Sequence, residues 1–158
     1  MIARMDEYVL TPAVYYRNPK AALAWLEDAF GFEVSMAIEG PPDEPAMGHY
    51  EMSVAGAGRI MIGGQWADWT RSPSSAGGVN TQSVEVRLSD EIDAHCARAR
   101  GAGAVIAQEP VDEFYGDRKY RALDPEGHCW TFVQHVRDVT REEVEAAIGQ
   151  PIMATNWR

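Results

Sequence analysis

One order of elements occurs twice along this chain, and that repeat constrains the fold more than any other feature. Residues 9–17 (VLTPAVYYR) are rich in β-branched and aromatic side chains and read as a strand. Asn18-Pro19 then starts a helix, because Asn caps well and proline suits the first helical position. Ala22, Trp25, Leu26, Ala29 and Phe30 form one apolar stripe, and Gly31 is placed to end the helix. Strands are expected at 32–38, 49–54 and 59–63. After a connector at 64–80, carrying Trp66 and Trp69, the pattern restarts. A strand is expected at 83–88, and Ser89 caps a helix running to about Ala99. Strands follow at 105–107, 118–123 and 129–134, with a loop at 109–117 and an Asp124-Pro125-Glu126-Gly127 turn.

Val14-Tyr15-Tyr16-Arg17 aligns with Val84-Glu85-Val86-Arg87, and Gly58-Arg59-Ile60-Met61-Ile62 aligns with Gly127-His128-Cys129-Trp130-Thr131. These offsets of 70 and 69 residues indicate two copies of one module. The chain divides into a first module (1–64), a connector (65–80), a second module (81–136) and a C-terminal helix and tail (137–158). Thr140 and Glu143 form a capping box for that last helix, with Gly149 as its stop.

Lys+Arg number 14 against 24 Asp+Glu, for a formal charge of −10. That excludes the basic footprint of a nucleic-acid protein and disfavours docking on anionic lipid. No apolar run approaches the roughly 18 residues of a membrane span, and the opening MIARMDEYVLTP has no long apolar signal core. Cys96 and Cys129 lack CxxC spacing and read as reduced thiols of a cytoplasmic protein.

Three segments carry a family resemblance. AALAWLEDAFGF follows the first strand, YGDRKYRALDPEGHCWTFVQH lies near the end, and His135-Val136-Arg137-Asp138-Val139 comes after it. Together they resemble the vicinal oxygen chelate superfamily of glyoxalases, bleomycin-resistance proteins and dioxygenases, and its PhnB-like branch in particular. The resemblance implies an α+β fold: two βαβββ modules forming a curled mixed sheet around a cleft, helices outside, plus the C-terminal helix. It also implies a homodimer, with the cleft often completed by a neighbour.

Catalytic relatives hold a divalent metal on a first and a last strand of each module. Matched by position, those four sites fall on Thr11, Ile62, Ser83 (or Gln82) and Thr131. None of these supplies imidazole, carboxylate or thiolate, so neither a metal nor another cofactor is expected. His49 and Glu51 share a strand face and make a two-ligand start without a third. His95 reads as a surface residue, His128 as a turn-fixing hydrogen bonder and His135 as solvated or interfacial.

Strand alternation maps the cleft. Ala13, Ile60, Ile62 and Val133 are expected as its apolar lining, and Tyr15, Ser83, Glu85 and Thr131 as its polar groups. Tyr115 and Arg118, from the family-like segment, are expected at one mouth, and Trp66 and Trp69 at another. The expected function is metal-free binding of a small-molecule drug or metabolite. Two alternatives stay open: an enzyme, either a lyase, isomerase or dioxygenase with a non-standard site or one using Glu85 as general base with Tyr15 as acid partner, and an interaction module with a relic cleft. No nucleophile is identifiable, since Cys129 has no activating base beside it.

Overall fold

A computed structural model describes residues 10–157; Met1–Val9 and Arg158, including the first residue assigned to the opening strand, lie outside the described residues. The first module contains β1 (Ala13–Tyr16), α1 (Pro19–Phe30), β2 (Glu33–Ile38), β3 (His49–Val54) and β4 (Gly58–Gly64). The second contains β5 (Val84–Leu88), α2 (Ile92–Gly101), β6 (Val105–Asp112), β7 (Asp117–Leu123) and β8 (Cys129–His135), and α3 (Arg141–Ile148) follows. Each module makes its own four-stranded mixed sheet, in the order β1-β4-β3-β2 and β5-β8-β7-β6. The crossover through each helix sets β1 parallel to β4 and β5 parallel to β8, while the remaining pairs are antiparallel. The α+β pair of βαβββ modules expected from the repeat is therefore present.

Local chemistry accounts for the ends of these elements. The Asn18 side chain accepts from Ala21 N at the start of α1, and Gly31 closes that helix in the left-handed region. The Thr140–Glu143 capping box is formed at α3, and Gly149 stops it. β1 occupies only Ala13–Tyr16 of the expected 9–17 span, and two further boundaries differ from the sequence reading. Ser89 does not cap α2: residues 89–90 form a bend, and the helix starts at Ile92 behind Glu91, whose φ is 52° and whose side chain makes no cap. β6 runs on to Asp112, through Pro110, where a loop is expected. It is an edge strand with register shifts on either side of Gln108, and an edge tolerates a proline that cannot donate.

One face of each sheet is apolar and packs on its own helix. In the first sheet this face carries Val14, Tyr16, Tyr50, Met52, Ile60 and Ile62; in the second, Val86, Tyr120, Ala122, Trp130 and Phe132. The helices pack on each other, so both faces feed one core. Phe30 at the end of α1 lies 5.6 Å from Trp130 and 4.7 Å from Phe132, ring centre to ring centre. Trp25 Nε1 donates to Ala102 O at 2.8 Å, and Arg98 Nε donates to Asp28 O at 2.6 Å at the C-terminal end of α1. The opposite faces of the two sheets, called open faces below, point away from this core.

His95 does not lie at the surface. Its ring packs among Phe30, Tyr120 and Phe132, with Nδ1 2.7 Å from Tyr120 Oη and Nε2 3.1 Å from Phe30 O. A charge there would lose water, so burial holds its pKa below the ordinary value.

The modules are also joined at the turn before β8. Asp124, 5% exposed, accepts from Tyr16 Oη at 2.6 Å, Trp130 Nε1 at 3.1 Å, and the backbone N–H groups of Glu126 and His128 at 3.0 Å each. Glu126 accepts from Arg17 N and Asn18 N at the entry to α1, and His128 Nε2 lies 2.7 Å from Tyr15 O. The connector docks on the same turn: Ser74 N donates to Glu126 O, and Asn80 Nδ2 donates to Gly127 O.

Asp124→Asn turns an amide N–H₂ toward two donors. It should cost about 2–4 kcal/mol by urea unfolding, with Tyr16→Phe costing about half as much. Acid should act through His95. Its depressed pKa means that the unfolded chain binds the extra proton first, so the His95 contribution is present above the unfolded value of 6.5 and lost as pH falls below it. His135, raised by Asp138 and Asp117, acts in the opposite direction. The decline in urea midpoint from pH 6.5 to about pH 5 should therefore be shallower in His95→Gln than in the parent.

Candidate functional site

The open face of the first sheet follows from its register. Tyr15 pairs with Gly63 and Ala13 with Met61 across β1 and β4; His49 pairs with Gly63, and Glu51 with Met61, across β3 and β4. These residues therefore share one face. A Cβ at Gly63 would come within 3.1 Å of the Tyr15 ring, so the glycine leaves room for that ring beside the strand. Ala13, Tyr15, Met61 and Gly63 form the bed of a depression of about 300 Å³, rimmed by Met47, Gly48, His49 and Trp66. Trp69 meets Tyr15 edge-on at 6.3 Å and Trp66 at 4.9 Å. The two connector tryptophans thus cluster beside Tyr15, 46% and 70% exposed.

The polar end of this face is a chain of three side chains. Glu51, only 7% exposed, lies 3.1 Å from His49 Nε2 through one oxygen and accepts from an Arg59 guanidinium nitrogen at 3.3 Å through the other. Arg59 also reaches Thr11 Oγ1 at 3.5 Å. The sequence pairs His49 with Glu51 through their i, i+2 spacing. Arg59 is missed, because only the β3–β4 register sets it beside Glu51.

The second open face has a different character. Glu85 pairs with Thr131, and Arg87 with Val133; Lys119 and Arg121 flank them on β7. Val133, 1% exposed, is buried outside the central core. Arg87 pairs with Asp117 at 3.2 Å. Lys119 donates to Tyr115 Oη at 2.9 Å and pairs with Glu113 at 2.9 Å, which together hold its pKa above the usual lysine value. Ser83 is exposed and immediately precedes β5.

Ala13 and Tyr15 therefore come together on one sheet, and Glu85, Thr131 and Val133 on the other, with Tyr115 against Lys119. Within one chain they do not share a pocket. Tyr15 lines the depression with His49, whereas Glu85 lines another, of about 440 Å³, with Pro12, Arg59 and Ala57.

Ile60 and Ile62 are each 1% exposed and pack in the central core, and Ile60 also borders the depression that Glu85 lines. The helix-facing pairs Val14/Tyr16 and Ile60/Ile62 match Val84/Val86 and Trp130/Phe132 at a uniform offset of 70, not 69. A one-residue slip exchanges the faces of a strand, so Met61 is the cleft-facing counterpart of Thr131. Arg118 points to the helix side, bridging Asp93 of α2 at 2.8 Å and Asp112 of β6 at 2.7 Å.

With Met61 in place of Ile62, the positions matched to the relatives' metal ligands are Thr11, Met61, Ser83 and Thr131, none of which carries an imidazole, carboxylate or thiolate. Among the described residues, no three His, Cys, Asp or Glu side chains converge as a metal site requires. This donor set does not fit the divalent ion of the catalytic relatives.

The sequence profile of the Glyoxalase/Bleomycin resistance protein/Dioxygenase superfamily matches residues 6–132. Two mycobacterial proteins described as uncharacterized, Mb0911c of Mycobacterium bovis and Rv0887c of Mycobacterium tuberculosis, are each 35% identical over 89 residues. That is 56% of this chain and 55% and 49% of theirs. The chain spans about half the length of these curated relatives. The crystal structure of TioX from Micromonospora sp. ML1 is 32% identical, with coverage of 84% of this chain and 100% of TioX and a TM-score of 0.61. TnmS3, an antibiotic binding protein from Streptomyces sp. CB03234, shares the fold at 19% identity, covering 81% of this chain and 96% of its own, with a TM-score of 0.63. With its duplicated βαβββ modules, the chain belongs to the Glyoxalase/Bleomycin resistance protein/Dioxygenase superfamily.

Proposed function

We propose that this protein binds a small organic molecule, a drug or metabolite, without a metal and without chemical turnover. The observation that carries this reading is the first open face. Tyr15, Met47, Met61 and Trp66 surround a depression of ligand size, and His49, held by Glu51, stands at its rim. Thioethers and aromatic rings suit a flat apolar body. The residues at the metal positions support the same reading, as does the antibiotic-binding role of TnmS3. The segment from Tyr115 to Val139 supports placement in the PhnB-like branch.

The reading extends to a homodimer in which the first open face of one chain meets the second open face of its partner. Ala13 and Tyr15 would then face Ser83, Glu85, Thr131, Val133 and Tyr115 across one cleft. In support, edge strand β2 exposes Val34, Met36 and Ile38, an apolar strip that association would cover. We place the protein in the cytoplasm, where its thiols Cys96 and Cys129 would stay reduced. Among the described residues, no helix is long and apolar enough to cross a membrane.

A thermal-shift screen of planar antibiotics and metabolites on EDTA-dialysed protein tests the binding role. At least one compound should raise the melting temperature. Tyr15→Ala and Glu85→Ala should each weaken that compound by about ten- to a hundredfold while leaving the unliganded melt unchanged. Hits that appear only after a divalent metal is added back would refute the reading. Light scattering at micromolar concentration should give twice the chain mass of 17.5 kDa, and a monomer would overturn the shared cleft.

A further inference from the structure

We infer that His49, oriented by Glu51 and Arg59, is the specificity residue of the first open face, and that it selects flat ligands carrying an acidic hydroxyl, a phenol or an enol. The inference rests on the binding role proposed above and names the ligand class for the same site. An ionised carboxylate can only accept hydrogen bonds, so the 3.1 Å contact to Glu51 places a proton on His49 Nε2. Arg59 holds the other carboxylate oxygen at 3.3 Å and keeps Glu51 from turning away. A neutral imidazole with its proton on Nε2 has its lone pair on Nδ1. Among the described residues Nδ1 meets no protein partner, and the ring lines the depression formed with Tyr15, Met47 and Met61.

The rest of the pocket narrows the class. Gly63 contributes no side chain to its bed, and the Tyr15 ring lies beside that glycine. A volume of about 300 Å³ is at the small end of ligand pockets and suits a body of two fused rings. A hydroxyl at the edge of such a body donates to Nδ1, and an acidic hydroxyl makes the stronger bond. An ether at the same place has no proton to donate and leaves a desolvated nitrogen unpaired.

The matched probes are 7-hydroxycoumarin and 7-methoxycoumarin, which differ in that proton and are read by fluorescence anisotropy on the full chain. The hydroxyl compound should bind about tenfold more tightly, and the preference should fall to about twofold or less in His49→Ala and in Glu51→Gln. Long-range proton–nitrogen NMR of the imidazoles supplies a readout independent of the variants: His49 of the parent protein should carry its proton on Nε2. Equal binding of the two probes would overturn the His49 assignment and leave the binding role standing. So would a preference retained in folded His49→Ala, or a proton found on Nδ1, whether alone or together with one on Nε2. Failure of both probes to bind at millimolar concentration would overturn the ligand class; failure of the antibiotic and metabolite screen as well would remove the binding role.

Discussion

The carboxylate of Asp124 is the joint between the two halves of this protein. A buried charge is costly unless hydrogen bonds replace its water, and here four donors do so. One donor, Tyr16, comes from the first module, and the other three belong to the second. Two residues that follow in the same segment extend the grip, since Glu126 holds the N-terminal end of α1 and the His128 side chain meets the backbone of Tyr15. The first strand thus ends against the turn that begins the last one. The rings of Phe30, Trp130 and Phe132 continue the seam through the apolar core.

Joining the modules by their helices determines what is left for function. Each sheet spends one face on the shared core and keeps the other open, and the two open faces differ. The first is a bed of Tyr15, Met61 and Gly63 with polar groups gathered at His49, Glu51 and Arg59. The second carries Glu85, Arg87, Lys119 and Arg121 around Thr131 and Val133. An apolar bed with one polar end orients a ligand, and a charged wall discriminates among ligands. In the proposed dimer these faces are the two sides of one cleft.

The architecture was legible because both modules announce themselves locally. Asn18-Pro19 starts α1, Thr140 and Glu143 cap α3, and alternation marks β3 and β5. Failures occurred where long-range partners overrode local signals. Gln134 accepts from Ile92 N at 2.9 Å and takes the place of a capping side chain at α2. Pairing with β7 carried β6 past Pro110. His95 has helical neighbours typical of a surface position, and the rings of Tyr120 and Phe132 from β7 and β8, with Phe30 from the other module, bury it.

The candidate site divides in the same way. Period-two alternation determines which residues share a strand face, so Ala13 with Tyr15, His49 with Glu51, and Thr131 with Val133 were readable as sets. Which face turns to the core depends on register, and a one-residue misalignment of β4 exchanged Ile60 and Ile62 for Met61. Only the tertiary structure decided that Arg59 would meet Glu51, that Arg118 would bridge α2 and β6, and that Tyr15 and Glu85 would line separate depressions. These outcomes depend on pairings between distant segments, which spacing along a single chain does not encode.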